Sequence, residues 1–240
     1  MSAAAPMPHG PLEVLVPGIH WLQGTVRMGP GVVINRVMVV LENEGELTII
    51  SSVRLDDAGI TALEALGKVR HLVKIGTHGM DDAWYADRYD VLTWAAPGVQ
   101  VAGRPADREL VPGGDTPVPW LSTFAFSATK DPELVFLAER GDGLLITCDC
   151  LQSWTSVDRC SFMGRMLTPV MGFTAGPVVV GPPWRKGMTP KGGSLQGDFE
   201  RLGALSFDSL VGGHGRPLLG GARGAVHDAI RRVWPDAALS

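Results

Sequence analysis

Cysteine is scarce: the chain of 240 residues has three, at Cys148, Cys150 and Cys160. So sparse and odd a set argues against a disulfide-stapled secreted scaffold. No run approaches the roughly 18 consecutive apolar residues of a membrane span. The N-terminal stretch lacks both the basic and the apolar segments of a secretory signal. Basic charge is not in excess: 21 Lys and Arg stand against 25 Asp and Glu, for a net charge of −4. A general polyanion binder is normally basic, so nucleic acid is a poor partner class. Certain motifs are missing too. There is no Gly-x-Ser-x-Gly, no phosphate-binding loop ending in Gly-Lys, and no Gly-x-Gly-x-x-Gly after a strand. Serine hydrolase, nucleoside triphosphatase and dinucleotide-binding readings therefore have no motif behind them. These absences lead to the expectation of a soluble cytoplasmic protein with neither a membrane nor a nucleic-acid partner.

What is present is an ordinary globular composition. Hydrophobic residues make up 45% of the chain and charged residues 19%, enough apolar mass for a core. The 31 Gly and 18 Pro make the chain loop-rich without reaching the ~25–30% that marks disorder. Residues 1–12, rich in Ala and Pro, read as a flexible leader, and residues 13–240 as one domain.

Residues 32–41 form a β-branched strand, Asn43-Glu44-Gly45-Glu46 a turn, and residues 47–50 its hairpin partner. A helix follows, capped by Asp56 or Asp57, with Ile60, Leu63 and Leu66 on one face and Gly67 at its end. Strands are expected at 71–76, 91–94, 120–126, 134–138, 144–148 and 210–212, with short helices at 83–88 and 198–202. Residues 172–197 read as a long surface loop or lid carrying the basic cluster Trp184-Arg185-Lys186. In the last helix Ala222, Val226, Ala229, Ile230 and Val233 make one stripe, with Arg223, His227 and Arg231 opposite, and Pro235 as its stop. The fold class is mixed α/β with two sheets' worth of strands.

Polar groups gather where strands run into loops, positions that fix a backbone and leave a side chain accessible. They are Thr77-His78-Gly79-Met80-Asp81-Asp82, then Asp149 after an apolar run, then His214 in Gly212-Gly213-His214-Gly215. Of the six histidines, His9 reads as solvated in the leader, His20 and His71 as structural, and His227 as exposed. Cys148 and Cys150 flank Asp149 and face the core.

This order resembles the metallo-β-lactamase superfamily, with its four-layer αββα sandwich and its His-x-His-x-Asp-His motif after a strand. The resemblance runs from about Val14 to Trp234. His78 matches the first His of the motif, Asp82 its Asp (with Asp81 a rival one residue away), Asp149 the bridging Asp, and His214 the last His. Met80 and Ala83 replace the other two His of the motif. No His lies between His78 and His214, so the middle His of the family is also missing; Lys130 is the nearest candidate for its place. The resemblance implies that one of the family's two metal sites is lost, because a thioether binds Zn²⁺ weakly and an ammonium cannot bind it. The other implies at most one divalent ion, zinc, iron or manganese, held by Asp82, Asp149 and His214 with His78 as ligand or proton-transfer group. Lys130 is expected to pair with Asp149 or Asp82 and supply the missing positive charge. The favoured reading is a non-catalytic or binding protein for a small molecule, with His78, Asp82 and Lys130 as the working groups. The alternative is a mononuclear metal-dependent hydrolase of a small ester, thioester or lactone.

Overall fold

The computed structural model describes residues 5–239. Its first sheet opens with antiparallel β1 (Glu13–Val16), β2 (Ile19–Gly29), β3 (Val32–Asn43) and β4 (Glu46–Ile50). It continues in parallel through β5 (Lys68–Lys74) and β6 (Leu92–Ala95). The short β7 (Gln100–Val101) and β8 (Arg104–Pro105) pair with each other, and β9 (Arg108–Glu109) closes the edge beside β6. The second sheet has the order β10 (Leu121–Ala125), β11 (Leu134–Ala138), β12 (Leu144–Ile146), β15 (Ser209–Val211), β16 (Leu218–Leu219), with β12 and β15 parallel. β13 (Leu151–Gln152) and β14 (Val179–Val180) form a separate two-stranded ladder. The helices are α1 (Asp57–Leu66), α2 (Asp82–Arg88), α3 (Phe162–Val170), α4 (Pro182–Met188), α5 (Gln196–Gly203) and α6 (Ala222–Val233).

Strand alternation sorts the apolar residues into layers. Val37, Val39, Ile50 and Val73 of the first sheet meet Phe136, Leu144, Ile146 and Val211 of the second. The opposite parity, Met38, Val40, Ile49 and Leu72, packs under Ile60 and Leu63 of α1 and Tyr85 of α2. On the far side, Val135, Leu145 and Leu210 pack under Trp184, Phe199 and Val226 of α4, α5 and α6. The result is the expected αββα sandwich. Residues of β12 are buried on both faces, which is why the segment reads as an unbroken apolar run.

Caps behave as the sequence predicts. Asp56 accepts from the Gly59 amide at 2.8 Å to start α1, and Gly67 ends it. α6 buries Ala222, Val226, Ala229 and Ile230 and stops before Pro235.

Three expectations are corrected. Within the expected leader, Pro8 to Gly10 are tied down: Thr25 Oγ1 donates to the Pro8 carbonyl, the Gly10 amide to Gln23, and His9 Nε2 accepts from the Asp56 amide. His9 is therefore a buried anchor rather than a solvated residue; residues 1–4 lie outside the described residues. Residues 172–197 are not one open loop, because Trp184 and Met188 of α4 are core residues. His227 is half-buried and bonds to the Gly203 carbonyl at 2.9 Å, joining α6 to α5.

α3 had no sequence expectation. Gly164 and Pro169 lie inside it, and it lacks a polar face. Gly164 is required where the helix crosses β3, since a Cβ there would fall on the Val33 carbonyl. Pro169 cannot donate to the Arg165 carbonyl, and the Thr168 hydroxyl does so instead at 3.0 Å.

Candidate metal centre

The loops after β5, β12 and β15 leave the sandwich at the same end. Backbone hydrogen bonds draw the two sheets together there. The Leu134 amide donates to Ile75, the Gly213 amide to Cys148 at 2.8 Å, and the Val37 amide to Gly213 at 2.8 Å. These contacts fix the backbones that carry His78, Asp149 and His214, and the three side chains converge. Each offers a ligand atom within 4.8 Å of the others. Both imidazoles address one carboxylate oxygen: His78 Nε2 and His214 Nε2 each lie 3.3 Å from Asp149 Oδ1.

The surrounding contacts orient this group. His214 Nδ1 lies 2.5 Å from the Asn35 carbonyl, so Nδ1 carries a proton and Nε2 is turned toward the centre. Trp154 stacks on the His214 ring at 5.5 Å and 14°. The Asn35 side-chain oxygen accepts from the Gly215 amide at 2.8 Å, holding the turn after His214. Thr77 Oγ1 donates to Asp149 Oδ2 at 2.9 Å, and Gln152 Nε2 to Asp149 Oδ1 at 2.9 Å. Trp154 Nε1 in turn donates to Gln152 Oε1 at 2.6 Å. Gly213 leaves room for His78, since a Cβ there would come within 2.9 Å of its ring. Burial acts to raise the Asp149 pKa, but the two imidazoles outweigh it and hold the carboxyl well below the usual carboxylate range.

Two imidazole nitrogens and a carboxylate oxygen, with one imidazole locked by a backbone carbonyl, are a donor set that fits a divalent ion such as zinc. His78, Asp149 and His214 would hold it.

Two residues expected at the centre stand apart from it. Asp82 is buried against Gly79, with Oδ1 accepting from Ser52 Oγ at 2.6 Å. Burial pushes its carboxyl up to about 6, against the Ser52 hydrogen bond. Lys130 is exposed, its backbone amide donating to Met188, and among the described residues no ion pair joins it to Asp82 or Asp149. Lys74 and Arg36 are the cations near Asp82, and Arg36 is the one paired with an aspartate, Asp81. Arg36 is buried in β3 and donates also to the Thr25 and Ser52 carbonyls. Asp81 also accepts from the Arg54 amide at 2.8 Å, so it too is held away from the centre. The signal for Asn35 and Arg36 lay in the sequence: two polar residues interrupt an otherwise β-branched strand, and a buried charge needs a partner.

Glu133, in the same hairpin region as Lys130, carries no motif signal in the sequence. It is 1% exposed, and its carboxyl sits beside the Trp184 indole and the Asp149 and Cys150 amides without a well-formed hydrogen bond to any of them. The carboxyl abuts Gly76, two residues before His78, and Cys148, which directly precedes Asp149. Burial pushes it up to about 8, and the charge of Asp149 adds to the rise. Cys148 and Cys150 are buried free thiols in the core, as expected.

The centre opens into a cavity of about 660 Å³ between β2, β3, α3 and α4. Its walls are largely apolar, with Val26, Ile34, Leu167, Met171, Phe173 and Trp184 among them. Ser51, at φ 57°, lies on the wall at the end of β4. No helix among the described residues is long and apolar enough to cross a membrane.

No family model and no curated protein matches the chain. Solved structures do. VMB-1 aligns with a TM-score of 0.65 at 12% identity, covering 95% of this chain and 97% of its own. The DIM-1 metallo-β-lactamase exposed to ceftazidime gives 0.62 at 12% identity over 95% and 99%. The metallo-β-lactamase FIM-1 from Pseudomonas aeruginosa, in its mono-zinc form, gives 0.59 at 12% over 95% and 97%. With its two sheets, flanking helices and convergent strand-end loops, this chain has the metallo-β-lactamase fold.

Proposed function

We propose that the protein is a mononuclear metal-dependent hydrolase acting on a small ester, thioester or lactone. The observation that carries this reading is the convergence of His78, Asp149 and His214 at the floor of a cavity. A bound divalent ion supplies Lewis acidity toward a carbonyl and an activated water near neutral pH. The chain's own residues do the rest. Thr77 and Gln152 hold the Asp149 carboxylate in place, the Asn35 carbonyl and Trp154 hold His214, and the apolar walls exclude bulk water from the reacting carbonyl.

A second reading, a ligand-binding protein without catalysis, draws on the other half of the family motif. Met80 and Ala83 are exposed and Asp82 is engaged with Ser52, so a second ion has no comparable ligand set. One experiment separates the two. Zinc-reconstituted protein is expected to hydrolyse 4-nitrophenyl esters with turnover, and Asp149→Asn to lose at least about 100-fold in kcat/KM. That is the upper end of the loss seen for outer-shell metal partners, and Asp149 is a direct ligand in this reading. Zinc uptake with no ester, thioester or lactone turnover would favour the binding protein.

A further inference from the structure

The cavity is polar at one end only. Away from the three converging side chains, the polar side chains on its wall are already engaged. Arg36 is paired with Asp81, Gln152 with Asp149 and Trp154, and Thr168 with the Arg165 carbonyl. Ser51 is one exception, and the indole N–H of Trp184, buried beside Glu133, is another. The inner stripe of α3, residues 164, 167 and 168, and its C-cap Met171 form one wall at helical spacing, and Met28 and Met80 stand exposed on the lining. A ligand can therefore make directed polar contacts beside His78, Asp149 and His214, while the rest of it meets aliphatic, thioether and aromatic surface.

α3 is held in that position from its N-terminus. The Ser161 amide donates to the Val33 carbonyl, Ser161 Oγ accepts from the Val33 amide at 3.0 Å, and the same hydroxyl donates to Gly31. Leu167, half-buried on the inner stripe, faces the space without being part of the main core.

We infer that the molecule bound here is an amphiphile, with one small polar head at the His–Asp–His end and an extended apolar body along α3. The inference rests on the proposed function for the role of the head group, but not for the body, whose burial needs no metal. Trp154 and Trp184 line the cavity and report occupancy by fluorescence. The test is a titration of zinc-free protein with straight-chain alkanols from butanol to decanol, whose neutral head is indifferent to the Asp149 charge. Affinity is expected to rise about three- to fourfold per added methylene, the factor that corresponds to about 0.8 kcal/mol per buried CH₂. Leu167→Asp is expected to weaken decanol binding at least tenfold while leaving butanol almost unchanged. Phe162→Ser, on the exposed outer face of α3, is expected to bind decanol as wild type does. An affinity independent of chain length overturns the inference. So does a Phe162→Ser loss as large as that of Leu167→Asp, which would place the chain on the outside of α3. Because the protein is zinc-free, failure to bind metal in a separate experiment contradicts the proposed function and leaves this chain-length dependence standing.

Discussion

Glu133→Gln should make metal-free protein more stable at alkaline pH and flatten its stability profile. The Glu133 carboxyl is buried, and burial with the nearby Asp149 charge outweighs the Trp184 indole and the Asp149 and Cys150 amides beside it, so its pKa rises from its ordinary 4.5 to about 8. Between those values the native state holds a proton that the unfolded chain has released. The stability contributed by the neutral carboxyl is therefore complete below pH 4.5 and is lost as pH rises through 8. The loss is on the order of 3–5 kcal/mol. Asp82, raised from 3.8 to about 6, acts in the same direction over a lower window. Asp149 acts oppositely: its depressed pKa stabilises above its ordinary 3.8 and is lost on acidification below that. Wild-type protein treated with a chelator should therefore melt several degrees higher at pH 5.5 than at pH 8.5. Glutamine removes the ionisation while leaving amide atoms to satisfy, at a cost of about 1–3 kcal/mol. The expected gain at pH 8.5 is about 2 kcal/mol, or roughly 4–8 °C for a chain of this size. Melting temperatures that fall in parallel for wild type and variant between these two pH values would show that Glu133 is not the titrating group.

The second large effect is expected at Gly215. This residue follows His214 at φ 82°, in the left-handed region, and forms a parallel bridge with Ser153. A Cβ there would overlap the Ser153 carbonyl, a backbone group with no freedom to swing aside. The residue is also fixed at both polar ends, since its amide donates to Asn35 Oδ1 and its carbonyl accepts from Gln23 Nε2, each at 2.8 Å. Gly215→Ala adds the left-handed penalty to the displacement of one of two tied segments, a loss of about 2–5 kcal/mol. In a thermal melt that lowers Tm by roughly 5–15 °C. Relaxation of the turn also moves His214, so zinc affinity should fall with stability. A Gly215→Ala protein that melts within about 2 °C of wild type would mean the turn is looser than this packing implies.

Much of the fold was legible because local and tertiary signals agree in those elements. The β3–β4 hairpin is β-branched residues around a Gly turn, α1 has its Asp cap and terminal Gly, and α6 has a single apolar stripe. The positions of His78, Asp149 and His214 followed from the same logic, since each sits just beyond an apolar strand. Other features depend on packing that no local pattern encodes. α4 and α3 both carry Pro and Gly, which argue locally against a helix, yet one supplies Trp184 to the core and the other walls the cavity. Motif register placed Asp82 among the ligands, but Ser52 holds its carboxyl and Arg36 holds Asp81 next to it. Lys130 stands in the hairpin region where the family places a ligand, but it is solvent-exposed, and the buried acid of that hairpin is Glu133. Sequence distance brought the right loops into view, and only three-dimensional contact could decide which side chains within them meet.

The central claim is that His78, Asp149 and His214 together hold one divalent ion. Elemental analysis of untagged protein, grown with zinc, iron and manganese supplied and then dialysed, tests it most directly. About one metal ion per chain is expected in wild type, the same in Lys130→Ala, and none retained in Asp149→Ala. Wild-type protein that is folded but metal-free after such growth, or an Asp149→Ala protein that keeps its metal, would contradict it.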